Sequence, residues 1–233
     1  MKPMIGILGG LGTMAGINLA HMLADEAVRR GAKKDSDFPR FTLYNLPAEG
    51  LDECGVTDEK KIKEQIAEGF YRLYVAGCSL HIVACNSVHN LIMDLPIHGN
   101  GRLINLLDEA CDLVGPKCKV VGVMGSSYTK DTELYTRRLV DRGIAVVNTN
   151  HEEQTLLDNA IKAVMAALPP DDSFFADIAR LCNRMKGRGA KTIIVGCTEL
   201  SAFFNPVKNS HGIIDAGYAA ACKALDIVES ITE

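Results

Sequence analysis

Residues 82–86 read IVACN and residues 194–198 read IVGCT. Each is a short apolar run, rich in β-branched residues, that stops at a small residue, a cysteine and a hydrogen-bonding side chain. Runs of this kind, separated by longer helical periods, mark buried strands of a parallel sheet. A second pair repeats across the chain, because IGILGG at 5–10 resembles VGVMGS at 121–126. The glycine-rich pair lies 116 residues apart and the cysteine pair 112. Similar elements in the same order at nearly constant separation read as an internal duplication.

Working outward, strands are expected at 4–8, 41–46, 79–84, 119–124, 144–148 and 191–196. Helical periods fill 13–30, 58–77, 87–94, 130–142, 152–167, 172–187 and 216–231, with Thr57 as a cap for the second and Pro169-Pro170 beyond the fifth. Alternating strands and helices predict an α/β fold. The repeat predicts two doubly wound parallel-sheet lobes related by a pseudo-twofold, with an active site in the cleft between them. The first lobe is expected over 1–100, with the C-terminal helix in 212–233 packing back on it, and the second over 101–211. No linker rich in Gly, Ser or Pro separates them, so the lobes should pack together.

The bulk composition narrows the partners. With 233 residues, 47% hydrophobic and 23% charged, the chain has ample apolar surface to bury. No stretch approaches the roughly 20 apolar residues of a membrane span, and no export signal opens it, so a cytoplasmic protein with reduced thiols is expected. A net charge of −4 without a basic block gives no footprint for nucleic acid or an anionic membrane. Small molecules are the expected partners. The eight cysteines include no C-x-x-C pair, so neither a zinc site nor another metal site is expected.

In open α/β sheets ligands bind just beyond the carboxyl ends of strands, which is where Cys85 and Cys197 stand. A helix start beyond each cysteine would lower its pKa toward neutrality. Asn86, Ser87 and Thr198 offer neutral hydrogen bonds beside them. Two thiols facing one carbon suit the inversion of a stereocentre: a thiolate removes a proton from one face while a thiol delivers one to the other. The glycine loop at 9–15 formally fits a dinucleotide fingerprint, but the second strand ends without the ribose-binding acid. It reads as a tight turn or as an anion-accepting helix start for a carboxylate. Ser126 and Thr129 occupy the counterpart loop, either as carboxylate ligands or as helix caps. His89 is a possible support for Cys85, or a core histidine. Glu49, Asp52 and Glu53 form an acidic loop near the expected cleft mouth.

The pieces GILGGLGTMA (6–15), IVACNSVHN (82–90), GVMGSSYTKDTELY (122–135) and VGCTEL (195–200) resemble the aspartate/glutamate racemase family, on its aspartate racemase side. The resemblance implies a cofactor-independent amino-acid racemase, commonly a homodimer. It implies Cys85 and Cys197 as the proton-transfer pair. Gly10, Gly12, Thr13, Asp52, Asn86, Ser87, Val88, Ser126, Thr129 and Thr198 are expected around the substrate. Two departures bear on specificity. Where such racemases carry Asp-Arg-Thr after the second strand this chain has Gly50-Leu51-Asp52-Glu53, and where they carry a lysine it has Ala166 or Ala167, with Lys162 a turn earlier. The resemblance implies aspartate or glutamate as the default substrate, but losing an arginine from a carboxylate clamp is not conservative, which points to an altered preference for a neutral or cationic side chain. A maleate isomerase-like or decarboxylase-like reaction and a non-catalytic amino-acid-binding role are the alternatives.

Overall fold

The run IGILG forms a central strand, β1 (Ile5–Gly9), buried at every residue, as a strand covered on both faces must be. The computed structural model describes residues 2–52, 55–166, 172–204 and 212–231. From β1 the chain continues through α1 (Thr13–Arg29), β2 (Phe41–Asn45), β3 (Leu51–Asp52), β4 (Gly55–Val56), α2 (Glu59–Val75), β5 (Leu80–Val83), α3 (His89–Ile92) and β6 (Arg102–Ile104). Next come α4 (Leu106–Asp112), β7 (Val120–Met124), α5 (Ser127–Asp131), α6 (Leu134–Asp141), β8 (Ala145–Val147) and α7 (His151–Met165). The chain closes with α8 (Asp172–Gly187), β9 (Thr192–Val195), β10 (Ile213–Asp215) and α9 (Ala216–Ser230).

Two four-stranded parallel sheets result, ordered β2-β1-β5-β6 and β8-β7-β9-β10. Both run second, first, third, fourth in the sequence of their own strands. This shared topology is the pseudo-twofold duplication expected from the repeated motifs. In such an order the winding reverses between the first and third strands, and the crevice for a ligand opens at their carboxyl ends. Those ends carry the glycine loop and Cys85 in one lobe, and Gly125-Ser126 and Cys197 in the other.

One apolar core runs between the lobes, combining Ile5, Ile7 and Leu23 with Val121, Leu139 and Ile194. α9 packs against α1 and α4, although β10, which leads into it, belongs to the second sheet. Separate cores under α2 and under α7 and α8 cover the outer faces. Among the described residues no helix is long and apolar enough to cross a membrane.

Several local expectations are corrected. The helix over 130–142 is two helices, because Glu133 adopts a left-handed φ of 55° between them. The stretch 87–94 holds only the single turn of α3. The cap of α2 is Asp58, whose carboxylate accepts the Lys61 N–H at 3.0 Å, rather than Thr57. The edge strands β6 and β10 and the helix α4 were not foreseen. β6 and β10 hold only two apolar residues each, too few to mark a strand, whereas β8 lies in the longer run IAVV. Ala167 and Pro169-Pro170 lie outside the described residues.

Candidate active site

Gly10 sets the first wall of the crevice. Its φ is +91°, and a Cβ there would lie 1.8 Å from the Leu46 carbonyl oxygen, so only glycine lets the loop pass the end of β2. Gly12 caps α1 without a side-chain bond, and the space above it is filled by Glu199, whose Oε1 would lie 2.2 Å from an added Cβ. A carboxylate of the chain's own thus stands against the glycine loop.

Cys85 follows β5 by two residues, and its N–H turns back to the Val83 carbonyl at 2.8 Å. Cys197 follows β9, where the Gly196 N–H bonds to the Met124 carbonyl at 2.7 Å. Both thiols are buried, and both line one small cleft of about 30 Å³ with Leu11, Leu51, Asp52, Ser87, Ser126 and Glu199. Gly55, Ile161 and Met165 complete its walls. A larger cavity, about 630 Å³, lies at the other end of the first sheet, beside Lys2, Arg30 and Arg40, and touches neither thiol.

The electrostatics contradict the expected low thiol pKa. Burial, then the Glu199 carboxylate, push Cys85 up to about 12, partly offset by hydrogen bonds from the Ser87 and Val88 N–H groups and the Ser87 hydroxyl. Burial and Glu199 also raise Cys197 well above the ordinary range, and its thiol donates to Glu199 Oε2 at 3.1 Å. Burial raises Glu199 itself, against hydrogen bonds from Cys197 and Thr198. No long helix begins beside either sulfur: α3 starts four residues after Cys85, and Cys197 is followed by a 3₁₀ turn, Leu200–Phe203. A helix dipole therefore has little hold on these thiols.

The expected site residues divide in two. Cys85, Ser87, Ser126, Cys197 and Asp52 line the cleft, and Asp52 Oδ1 accepts the Gly55 N–H at 3.0 Å within the β3–β4 hairpin. The others stand behind it. Asn86 is buried and accepts the Tyr135 hydroxyl at 2.5 Å, while Thr129 bonds Ser126 at 3.1 Å. Thr198 lies 3.5 Å from the Ala84 carbonyl and 3.2 Å from Glu199 Oε2. Val88 is fully buried, and Thr13 is exposed on the first turn of α1. His89 does not reach Cys85; its Nε2 bonds the Val83 carbonyl at 3.3 Å. Glu53 and Cys54 lie outside the described residues.

The model of the Asp/Glu/Hydantoin racemase family matches residues 8–224, nearly the whole chain. The chain belongs to that family. As a member of the Asp/Glu/Hydantoin racemase family it is an isomerase. Among curated members it is similar to a broad specificity amino-acid racemase of Bacillus subtilis, 23% identical over 230 residues and covering 97% of each chain. Its fold is similar to that of the Picrophilus torridus aspartate racemase, with a TM-score of 0.77 at 20% identity over 97% of this chain and 94% of that one. An aspartate racemase homologue from Pyrococcus horikoshii superimposes with a TM-score of 0.76 at 20% identity, over 98% and 100% of the two chains.

Residues of this racemase-family cleft that the motifs did not single out are Leu11, Leu51, Gly55, Ile161, Met165, Glu199 and, behind it, Tyr135. Glu199 stands within the quoted VGCTEL run. Ile161 and Met165 are one helical turn apart, on the face of α7 that its period would have assigned to packing.

Proposed function

We propose that the protein is a cofactor-independent racemase of free amino acids that inverts the α-carbon by proton transfer between Cys85 and Cys197. The observation that carries this is the convergence of two thiols, from equivalent positions of duplicated lobes, on one cleft. Both thiols rest protonated, raised by burial and by Glu199; the Ser87 and Val88 N–H donors stabilise a Cys85 thiolate once it forms, whereas the Cys197 thiol is hydrogen-bonded to a carboxylate and holds its proton. In one direction the Cys85 thiolate takes the α-proton and the Cys197 S–H supplies a proton to the opposite face. The reverse direction exchanges the roles. The cleft has room for about one water molecule, so an amino acid enters when the β3–β4 hairpin or α7 moves outward.

We further propose a substrate with a neutral or cationic side chain. Apart from the thiols and the serines, the lining is apolar at Leu11, Leu51, Ile161 and Met165 and acidic at Asp52 and Glu199. No lysine or arginine among the described residues lines it, and Lys162 is not among the lining residues. The breadth of the Bacillus relative is consistent with this reading. The test is α-proton exchange in deuterated water across L- and D-amino acids. Exchange with non-acidic substrates is expected, abolished for racemisation by Cys85→Ser or by Cys197→Ser. No exchange with any amino acid would overturn the racemase reading, and exclusive activity on aspartate would overturn the substrate class.

A further inference from the structure

Tyr135 joins the two thiol loops through a single side chain. It belongs to α6 of the second lobe, yet its hydroxyl donates to Asn86 Oδ1 of the first lobe at 2.5 Å. Asn86 is the residue directly after Cys85. The ring of the same tyrosine seats against Gly196, directly before Cys197: a Cβ at Gly196 would lie 2.5 Å from Cε2 and 3.1 Å from Cδ2. Tyr135 is 1% exposed and Asn86 3%, so neither exchanges these contacts for water. A buried hydroxyl of this size is retained at a cost unless it is hydrogen-bonded, and Asn86 is its partner.

The bond also decides what Asn86 can offer. With Oδ1 occupied by the phenol, the amide is held so that Nδ2, a pair of N–H donors without a partner among the described residues, is the remaining polar group. A buried pair of donors on the residue next to Cys85 suits an anionic oxygen such as an α-carboxylate. Were the amide free to rotate, half of its orientations would present an acceptor instead.

We propose that Tyr135 is the positioning residue of the two-thiol site: its hydroxyl orients the Asn86 amide as a carboxylate donor beside Cys85, and its ring fixes the Gly196–Cys197 loop opposite. The role rests on the racemase reading for its catalytic consequence, but not for its structural one. Tyr135→Phe removes only the oxygen, and Tyr135→Leu removes the ring face as well. The two loops can be followed separately by iodoacetamide alkylation of each cysteine, mapped by peptide mass spectrometry.

In Tyr135→Phe, alkylation of Cys85 is expected to rise several-fold while Cys197, Cys78 and Cys111 keep their wild-type rates. In Tyr135→Leu both Cys85 and Cys197 accelerate. With an amino acid that wild-type enzyme exchanges, Tyr135→Phe should raise KM about tenfold, the loss of roughly one hydrogen bond, and should add nothing in an Asn86→Ala background. Unchanged Cys85 alkylation in Tyr135→Phe overturns the proposal. So does equal acceleration at all four cysteines, which is the mark of general loosening, or a KM effect that persists in full without Asn86. Absence of exchange in the wild type overturns the racemase reading instead, and leaves the alkylation pattern to decide the part played by Tyr135.

Discussion

Lowering the pH from 7 to 5 should destabilise the protein through two histidines that have no access to water. His81, in β5, lies edge-on to Phe70 with both ring nitrogens unpartnered among the described residues. His89 is equally buried, bonded to the Val83 carbonyl, with Asp108 and Arg138 nearby and paired to each other at 2.8 Å. Burial depresses each from 6.5 to about 4. Between those values the unfolded chain binds more protons than the folded one, so stability rises with pH there and is lost as pH falls from 6.5 toward 4. From pH 7 to 5 about 1.5 units of that window are crossed. At 1.36 kcal/mol per unit this is about 2 kcal/mol for each histidine, or about 4 kcal/mol for both, a large part of a stability of 5–15 kcal/mol that is typical of proteins. Glu26 stays out of this window: burial opposes its charge, but hydrogen bonds from Arg29, Tyr218 and Arg30 prevail and lower it to about 2, so its contribution is lost only below 4.5. Glu199 and Asp215, both raised by burial, have the opposite sign of pH dependence. Urea denaturation at pH 7 and pH 5 measures the difference. His81→Leu removes a titrating group, and should shrink the difference by about 2 kcal/mol. Equal midpoints at the two pH values, or an undiminished difference in His81→Leu, would refute the reasoning.

Two further substitutions test the site. Gly10→Ala drives a Cβ into the Leu46 carbonyl at a φ of +91°, and should cost more than about 3 kcal/mol, seen as a fall of roughly 10 °C in Tm; a Tm within a degree of wild type would show that the turn relaxes freely. Glu199→Gln keeps the shape beside Cys197 but removes the anion that raises both thiols, so the rising limb of kcat/KM against pH should move to lower pH, and an unmoved limb would mean that Glu199 carries no charge there.

How much of this was legible in the sequence depends on which force sets each feature. The two four-stranded sheets were readable because buried parallel strands must be apolar throughout, and the repeat of IVACN and IVGCT placed the cysteines at equivalent strand ends before any geometry was known. The edge strands β6 and β10 were not legible, since each offers only two consecutive apolar residues, whereas the equally short β8 lies in the longer apolar run IAVV. The thiol environment was misread for a related reason. A strand followed by helical sequence predicts a dipole beside each sulfur, but the chain turns through single 3₁₀ and α turns there. What surrounds the sulfurs is instead buried apolar surface and a carboxylate held by long-range packing.

That reversal changes where the chemical difficulty of the site lies. Low-pKa thiols would leave the closed cleft holding exposed nucleophiles open to oxidation. Thiols raised by burial and by Glu199 are protonated in the closed cleft, so on the proposed mechanism the thiolate forms only when substrate arrives. An amino acid brings an ammonium group and displaces the cleft's solvent-sized void, and its positive charge beside Cys85 opposes the effect of Glu199. In this arrangement the substrate supplies part of the electrostatics that the helix ends do not. An acidic side chain would subtract from that contribution and a neutral or cationic one would preserve it. On the proposed function, the lack of a lining cation among the described residues and the raised thiols both favour such a substrate.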